Sequence, residues 1–247
     1  MDGDGVQGDF FTDKDLRKAW AHCIDYEGFV RDVYRGAGRQ AAGFIPRGMP
    51  GRDDAAPVHR FDLRKAEEHA RRAWNGAVWE KGFRMTLAYN AGNTHREALA
   101  RMLKRNLEGL NPRFRIDVRP YQWPTYLDMM RTRRLPAFMV GWVALFPDPH
   151  AAAFMFMHSR GAFPSAQGWK DPRADALVAA GMREPDPARR KRVYRDLLRL
   201  AHDEAPHVVI VEGTRFRAQR DWVKGWRHQP LFPDAPYGGD FYPLYKE

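Results

Sequence analysis

The chain has 247 residues, 44% of them hydrophobic and 13% aromatic, so it can bury a substantial core in one large domain or two smaller ones. The formal net charge is +10, but the basic residues are spread along the chain among 31 acidic residues, which argues against a nucleic-acid partner. The single cysteine, Cys23, excludes an internal disulfide, a cysteine-based zinc site and an iron–sulfur cluster. No apolar run reaches about 18 residues and the N-terminal sequence is acidic and rich in glycine, so we expect neither a membrane span nor a signal peptide.

The first third of the chain predicts helices separated by a long loop. Asp13 is a candidate N-cap before apolar residues at helical spacing, and a second helical segment continues to Gly36. Residues 36–57 contain five glycines and three prolines with little periodicity, which predicts a loop. Asp62 then caps a helix that runs to about Trp74.

The middle of the chain predicts alternating strands and helices. The period changes to two at Phe83, and residues 114–118 and 137–142 give two further strands. A capping box, Thr94-x-x-Glu97, starts the helix between the first two strands, and Pro124 opens a short helix before the third. This βαβαβ order predicts a parallel sheet with right-handed crossovers.

The C-terminal third predicts two helices, a strand and an irregular tail. The helices cover residues 171–180 and 187–204, and the strand is short and buried at residues 207–213. The tail, residues 213–247, has no period, and we expect its aromatic side chains to pack on another surface. These residues are Trp222, Trp226, Phe232, Tyr237, Phe241, Tyr242 and Tyr245.

The helix at residues 187–204 is rich in arginine and leaves two functional interpretations open. Its apolar residues Val193, Leu197 and Leu200 form one stripe, so the arginines are expected on the solvated face. The alternative is a basic polyanion-binding or nucleic-acid-binding protein built on this helix.

Motifs for catalysis or metal binding are absent from the sequence. There is no H-E-x-x-H, no G-x-S-x-G, no Walker lysine loop and no G-x-G-x-x-G after a strand. The nine histidines show no ligand spacing, and we interpret them as scattered surface residues. We therefore predict no enzymatic activity, no catalytic residues, no metal site and no cofactor.

The segment from Leu135 to Ser159 gives the strongest indication of a binding site. Its strand-like apolar run ends at Gly141 and Trp142, and Pro147-Asp148-Pro149 then prevents regular hydrogen bonding beside an aromatic ring. In open α/β sheets, ligands bind at the carboxyl ends of strands. The sequence therefore favours recognition of a small ligand.

Several segments, taken in order, resemble the family 5 extracellular solute-binding proteins, the peptide-type receptors of ABC importers. They are RKAWAHCIDYEGFVRDVYRGAG, FDLRKAEEHARRAW, LAYNAGNTHREALARMLKRNLE, WPTYLDMM, FMVGW with PDPH, and EPDPARRKRVYRDLLRLAHDEAP. The resemblance implies an α/β, periplasmic binding protein-like fold of type II, in the peptide-binding-protein class. The expected lobe has a parallel or mixed sheet flanked by helices.

Members of that family are about twice as long, so the resemblance implies that this chain is the C-terminal half. Residues 1–205 would form the distal ligand-binding lobe, and residues 206–247 would return to a first lobe that is otherwise absent. The implied function is capture of an oligopeptide-like or other small polar ligand in an interlobe cleft and delivery to an ABC permease in the membrane. The implied partners are that ligand, the permease and the missing N-terminal half, with no nucleic acid, and the full-length protein is expected in the periplasm.

The resemblance also implies ligand-binding residues around the Gly-Trp motif. Gly141, Trp142, Val143 and Ala144 match a stretch that pairs with the main chain of the ligand. Leu145 stands where peptide receptors commonly place an aspartate that holds the amino terminus of the ligand. Asp148, three residues further on, would take that role only if its loop bends back.

Further candidates lie on the neighbouring predicted elements. Arg96 resembles a position that holds a ligand carboxylate in some members, and the alternative is a surface arginine. We expect Trp123 and Tyr126 to form a pocket wall rather than core. Tyr89 and Asn90 end a predicted strand, where they are either ligand contacts or ordinary turn residues.

Overall fold

Helices pack on both faces of a short parallel sheet. The computed structural model describes residues 6–144, 146–214, 216, 218–227 and 242–247. Its helices are α1 (Lys14–His22), α2 (Tyr26–Gly28), α3 (Leu63–Arg72), α4 (Ala77–Lys81), α5 (Thr94–Leu110), α6 (Trp123–Arg131), α7 (Pro149–Met157), α8 (Ala162–Gln167), α9 (Pro172–Arg183) and α10 (Pro187–Glu204). Short 3-10 turns occur at Phe10–Thr12 and Ala73–Gly76, and a π-helical turn at Phe29–Val33. Its strands are β1 (Gly38–Gln40), β2 (Phe83–Asn90), β3 (Phe114–Tyr121), β4 (Val211–Gly213), β5 (Val223–Lys224) and β6 (Tyr245–Lys246).

Strands β2 and β3 pair in parallel along their whole length. The register runs from Phe83 opposite Phe114 to Asn90 opposite Tyr121. Helix α5 connects the two strands and buries one face against them, through Leu99, Ala100, Leu103 and Leu107. The two predicted strands, the helix between them and the α/β class are therefore confirmed.

The third predicted strand, residues 137–142, is wrong, because this segment joins no ladder within the described residues. The Tyr126 hydroxyl takes the place of a neighbouring strand: it accepts a hydrogen bond from the Met139 N–H at 2.7 Å and donates one to the Met139 carbonyl at 3.1 Å. Successive side chains pack into two different cores, Ala137 and Met139 into one, Phe138 and Val140 into the other. The apolar run therefore reflects burial on both sides of the segment, not strand pairing.

Three apolar clusters form the interior. The first core lies between β2, β3, α1, α3 and α5. The second core lies between α7, α9 and α10 and includes Phe44 and Ile45 from the long loop after β1. The third core is smaller and surrounds Tyr126 on the other face of β2.

Asp13 joins the start of α1 to the turn after α3. Its Oδ1 accepts a hydrogen bond from the Leu16 N–H at 2.9 Å, which confirms the predicted N-cap, and its Oδ2 accepts one from the Trp74 N–H at 2.9 Å. The helix predicted to reach Trp74 ends at Arg72, because Trp74 and Asn75 have left-handed φ values of 51° and 53°.

Of the two other predicted helix caps, the one at α3 is confirmed and the one at α5 is displaced. Asp62 caps α3 as predicted, by accepting a hydrogen bond from the Lys65 N–H. The predicted capping box at Thr94-x-x-Glu97 is off by one residue, because the N-cap is Asn93, whose Oδ1 accepts from the Arg96 N–H at 2.9 Å. Glu97 pairs instead with Arg101.

The C-terminal elements confirm part of the prediction. Helices α9 and α10 match the two predicted helices. Helices α7 and α8 were not anticipated, since α7 is apolar around its circumference and shows no helical period. The strand predicted over residues 207–213 shortens to β4, which is half-buried rather than buried and pairs antiparallel with β1, inside the predicted loop of residues 36–57.

Helix α10 buries one apolar stripe, and most of its arginines form ion pairs. The stripe centres on Tyr194 and Leu197, whereas Val193 and Leu200 are only half-buried. The ion pairs are Arg189 with Glu184, Arg190 with Asp148, Arg195 with Asp53, and Arg199 with Asp196. The arrangement gives no support to the polyanion-binding alternative.

The aromatic side chains of the C-terminal tail are exposed where the structure describes them. Trp222, Trp226, Tyr242 and Tyr245 are solvent-exposed. Phe232, Tyr237 and Phe241 lie outside the described residues. Among the helices of the described part, none combines the length and the apolar character needed to cross a membrane.

Asp148 connects α7 to α10. Its Oδ1 accepts a hydrogen bond from the His150 N–H at 2.8 Å, so Asp148 is the N-cap of α7. Arg190 donates to both of its carboxylate oxygens, at 2.9 and 2.8 Å. Hydrogen bonds from Arg190 lower the pKa of Asp148.

Replacing Asp13 with alanine removes two main-chain hydrogen bonds at once. We expect Asp13→Ala to lower the free energy of unfolding by about 1–2 kcal/mol. Urea unfolding followed by circular dichroism measures the difference. Asp9→Ala is the matched control, because the Asp9 side chain makes no capping hydrogen bond; equal losses in the two variants would contradict the role given to Asp13.

The Asp148–Arg190 pair predicts a pH-dependent loss of stability. Because the folded-state pKa of Asp148 is lowered, its contribution is present at neutral pH and is lost as the pH falls through that pKa. After allowance for solvent screening of a partly exposed pair, Asp148→Asn should cost about 1 kcal/mol at neutral pH and progressively less on acidification. Urea unfolding at several pH values tests this, with Asp9→Asn as the surface control, since the exposed Asp9 side chain makes no capping hydrogen bond; a deficit independent of pH would count against the pair.

Candidate functional site

The parallel pairing brings the carboxyl ends of β2 and β3 to one edge, where α5 also begins. Asn90 ends β2 opposite Tyr121, and the Ala91 N–H donates to the Tyr121 carbonyl at 2.7 Å. Asn93 then caps α5, which fixes the first turn of that helix above the same edge. Strand ends and a helix N-terminus together form the kind of edge at which α/β folds bind ligands.

Arg96, in the first turn of α5, is the central side chain of this edge. Its Nη1 donates a hydrogen bond to Asn90 Oδ1 at 2.6 Å. The guanidinium carbon lies 5.6 Å from the centre of the Trp123 ring. A Cβ at Gly141 would lie 3.7 Å from Arg96 Nη2, so the main chain of the Gly-Trp motif approaches the same group. The structure therefore brings together four of the predicted site residues.

The charge of Arg96 is uncompensated within the described part of the chain. The side chain is half-buried, and no carboxylate there lies within ion-pair distance of it. Burial lowers its pKa, while Tyr126 and Tyr34 oppose that change. A cation in the first turn of a helix also faces the positive end of the helix dipole. Both features favour the binding of an anionic group at this position.

Two residues that the sequence did not single out border Arg96. The rings of Tyr34 and His95 stack with their centres 4.6 Å apart. Burial raises the pKa of the Tyr34 hydroxyl, and the Arg96 charge opposes this shift. The only sequence signal for His95 is its place next to Arg96, and Tyr34 comes from a distant turn, so the contact depends on the tertiary fold.

Trp123 and Tyr126 differ in their environment. Trp123 is 44% exposed and its ring is stacked on Tyr126 at 6.0 Å between centres, so it is available as a pocket wall. Tyr126 has no exposed surface, and its hydroxyl bonds to the main chain of Met139. The prediction of Tyr126 as a pocket wall is therefore wrong, because its ring fills the third core and its hydroxyl is already used.

The Gly-Trp segment continues from Arg96 toward the second core. Trp142 is half-buried, with its ring edge-on to Phe156 at 5.5 Å. Val143 is half-buried and Ala144 is buried. Leu145 lies outside the described residues. The position of Trp142 gives it both a packing role and a surface next to Gly141.

Asp148 and Tyr89 are occupied by other contacts. Asp148 caps α7 and binds Arg190, so it is not free to replace the missing acidic residue at Leu145. Tyr89 is buried, and burial together with the nearby Glu97 carboxylate raises the pKa of its hydroxyl. Of the strand-ending pair, Asn90 is the residue that accepts a hydrogen bond from Arg96.

The histidines are not scattered, in contrast to the expectation from the sequence. Four of them, His22, His59, His69 and His202, come from distant parts of the chain and form one cluster. Across the ranges that the structure describes, no three or more His, Cys, Asp or Glu side chains are arranged to hold a metal ion.

The sequence and fold resemble those of known binding proteins. The model for bacterial extracellular solute-binding proteins, family 5 Middle, matches residues 6–164. The dipeptide-binding protein of Escherichia coli (strain K12) is 26% identical over 235 residues, which are 92% of this chain and 42% of that protein. Heme-binding protein A of Haemophilus influenzae is 22% identical over 231 residues, with 92% and 42% covered.

A solved structure supports the same fold. The Escherichia coli murein tripeptide binding protein MppA superimposes with a TM-score of 0.79 at 21% identity, covering 95% of this chain and 45% of that one. The chain thus spans less than half the length of the curated relatives it matches. The family and the fold class expected from the sequence are confirmed, and the chain belongs to the family 5 bacterial extracellular solute-binding proteins.

Proposed function

We propose that this chain is the ligand-binding portion of a solute receptor that delivers its ligand to an ABC permease, and that Arg96 binds a carboxylate of a small, peptide-like ligand. The observation that carries the proposal is the half-buried Arg96 guanidinium, which lacks a carboxylate partner in the described part of the chain. Relatives named for dipeptides and oligopeptides support a peptide-like ligand. Such a receptor performs no reaction and acts outside the cytoplasm.

The surroundings of Arg96 fit recognition of an extended ligand with a terminal carboxylate. Asn90 accepts a hydrogen bond from Arg96 Nη1, and within the described residues the other guanidinium nitrogens have no hydrogen-bond acceptor. The Trp123 face supplies apolar contact beside it, and the Gly141 main chain offers pairing groups without a side chain in the way. Asp148 already binds Arg190, so we do not expect it to hold the amino terminus of the ligand.

The organisation of the whole receptor is part of the proposal. Residues 1–205 would form the distal lobe and residues 206–247 would pass to a first lobe supplied by an N-terminal half. The exposed Trp222, Trp226 and Tyr242 support this division, since such surfaces commonly lie in contacts. A ligand that bridges both lobes would stabilise the closed form through its higher affinity for that form.

Removing the Arg96 charge should weaken binding of a peptide carboxylate. We expect Arg96→Gln to lower the affinity for trialanine by about 10- to 100-fold, which corresponds to the roughly 1.5–3 kcal/mol of a hydrogen bond to a charged group. NMR titration of the tryptophan indole signals detects even weak binding. Arg105→Gln on the exposed face of α5 is the control and should bind like the unaltered chain.

Two modified peptides make the same test specific for the carboxylate. Trialanine amide should bind the unaltered chain as weakly as trialanine binds Arg96→Gln, whereas N-acetyl-trialanine should bind nearly as well as trialanine. Equal affinity for the acid and the amide, or no response to any of the three peptides, would contradict the proposed function.

The two tryptophans should separate binding from stability. Trp123→Leu replaces an exposed ring, so it should reduce trialanine affinity with little change in the free energy of unfolding. Trp142→Ala removes a ring that packs on Phe156 and should also lower that free energy, by about 2 kcal/mol. Trialanine titration and urea unfolding measure both variants; unchanged affinity in Trp142→Ala would remove it from the site.

A further inference from the structure

The histidine cluster lies where the first and second cores meet. His22 is in the last turn of α1 and His69 in the last turn of α3, beside the first core. His202 is in the last turn of α10, beside the second core. His59, from the loop before α3, fills the space between them, and all four histidines are among the residues that line an open groove of about 500 Å³.

The four rings contact one another directly. The His59 and His202 rings stack with centres 4.3 Å apart, and the His22 and His69 rings stack at 5.7 Å. His22 meets His59 edge-on at 5.6 Å, which links the two pairs. Stacking at these distances is favourable between neutral rings and unfavourable between two imidazolium ions.

Hydrogen bonds show which ring nitrogens are already used. His22 Nδ1 lies 2.7 Å from the Arg60 carbonyl, so it donates its hydrogen there. His69 Nδ1 lies 2.5 Å from Asp15 Oδ1. His59 Nε2 is buried and has no hydrogen-bond partner in the described part, so a proton placed there would have no acceptor.

The surrounding charges do little to compensate protons added to His22, His59 and His202, whereas His69 is paired with Asp15. Lys18 from α1, Lys65 from α3 and Arg60 from the loop line the groove, and none of their charged groups has an ion-pair partner among the described residues. The acidic groups facing the cluster are few and mostly engaged: Asp15 binds His69 and Arg72, Asp62 caps α3, Asp203 lies 3.9 Å from His202, and Glu204 binds Lys14, Arg17 and Arg173.

We propose that His22, His59 and His202, with the His69 ring stacked on His22, form a proton-sensitive junction. It holds α10 and the loop before α3 against α1 and α3 while the His22, His59 and His202 rings are neutral, and it weakens when these three are protonated. Loss of the junction would loosen the second core relative to the first. The Gly-Trp segment bridges these cores, because Met139 packs on the first and Trp142 on the second. Acidification would therefore disturb the binding edge at a distance.

The direction of the pH effect follows from the folded-state pKa values. Burial lowers the pKa of His22 and His202, and burial with the neighbouring imidazoles and Lys18 lowers that of His59 to about 3. The unfolded chain, with histidine pKa values near 6.5, takes up protons first as the pH falls. The stability due to the neutral cluster is therefore complete above about pH 7 and is lost progressively below about pH 6.5.

His59 provides the sharpest test, because glutamine keeps a polar side chain but cannot titrate. Between neutral pH and pH 5, linkage through His59 alone should raise the unfolding equilibrium constant by about 30-fold. Urea unfolding of the chain at several pH values gives this constant, and the carboxylates contribute equally to all variants. In His59→Gln the unfolding equilibrium constant should rise about 30-fold less on acidification than in the unaltered chain. In the exposed His95→Gln it should rise as much as in the unaltered chain.

Hydrogen exchange locates the effect. On acidification, protection factors corrected for intrinsic exchange should fall at residues 56–60 and in the last turns of α1 and α10 before they fall in α5. If His59→Gln does not fold, His202→Gln takes its place, since that ring is at the edge of the cluster. The same pH dependence in the histidine variant and in the unaltered chain, or a uniform loss of protection, would overturn the proposal.

Discussion

The parallel pairing of β2 with β3 is the constraint on which the rest of the structure depends. It requires a crossover, which α5 supplies, and it places both carboxyl ends and the start of α5 at one edge. Asn90 and Arg96 meet there because one ends β2 and the other lies in the first turn of α5. Helix α5 also packs its apolar residues into the first core. The geometry of the edge and the packing of the interior therefore both depend on this crossover.

Two arginines show how the fold distinguishes packing from recognition. Arg190 donates to both oxygens of Asp148 and joins α10 to α7, so its charge is used within the structure. Arg96 is also half-buried, but its hydrogen bond goes to a neutral amide, and no described carboxylate compensates its charge. A buried charge without a partner is costly, and a ligand that brings the opposite charge recovers that cost. This difference supports Arg96 as the recognition residue.

The binding edge and the histidine cluster lie at different ends of the first core. Asn106 of α5 donates a hydrogen bond to the Cys23 carbonyl, next to His22, and lies ten residues after Arg96. At a rise of 1.5 Å per residue, the histidine cluster and the binding edge are thus about 15 Å apart along α5. They are connected through the cores, which share the segment from Ala137 to Trp142. Binding and proton sensitivity can therefore be tested by separate substitutions.

The sequence by itself determined the elements with strong local signals: the alternating strands at Phe83 and Phe114, the capping aspartates Asp13 and Asp62, and the family, through motifs in a fixed order. Arg96 and Asn90 were identified through that resemblance. Only the tertiary structure decided which apolar segments pair and which merely pack, as at Met139, where the hydroxyl of Tyr126 replaces a strand. It also decided that Asp148 is engaged and that four histidines meet, because these contacts join residues far apart in the chain and leave no pattern in local spacing.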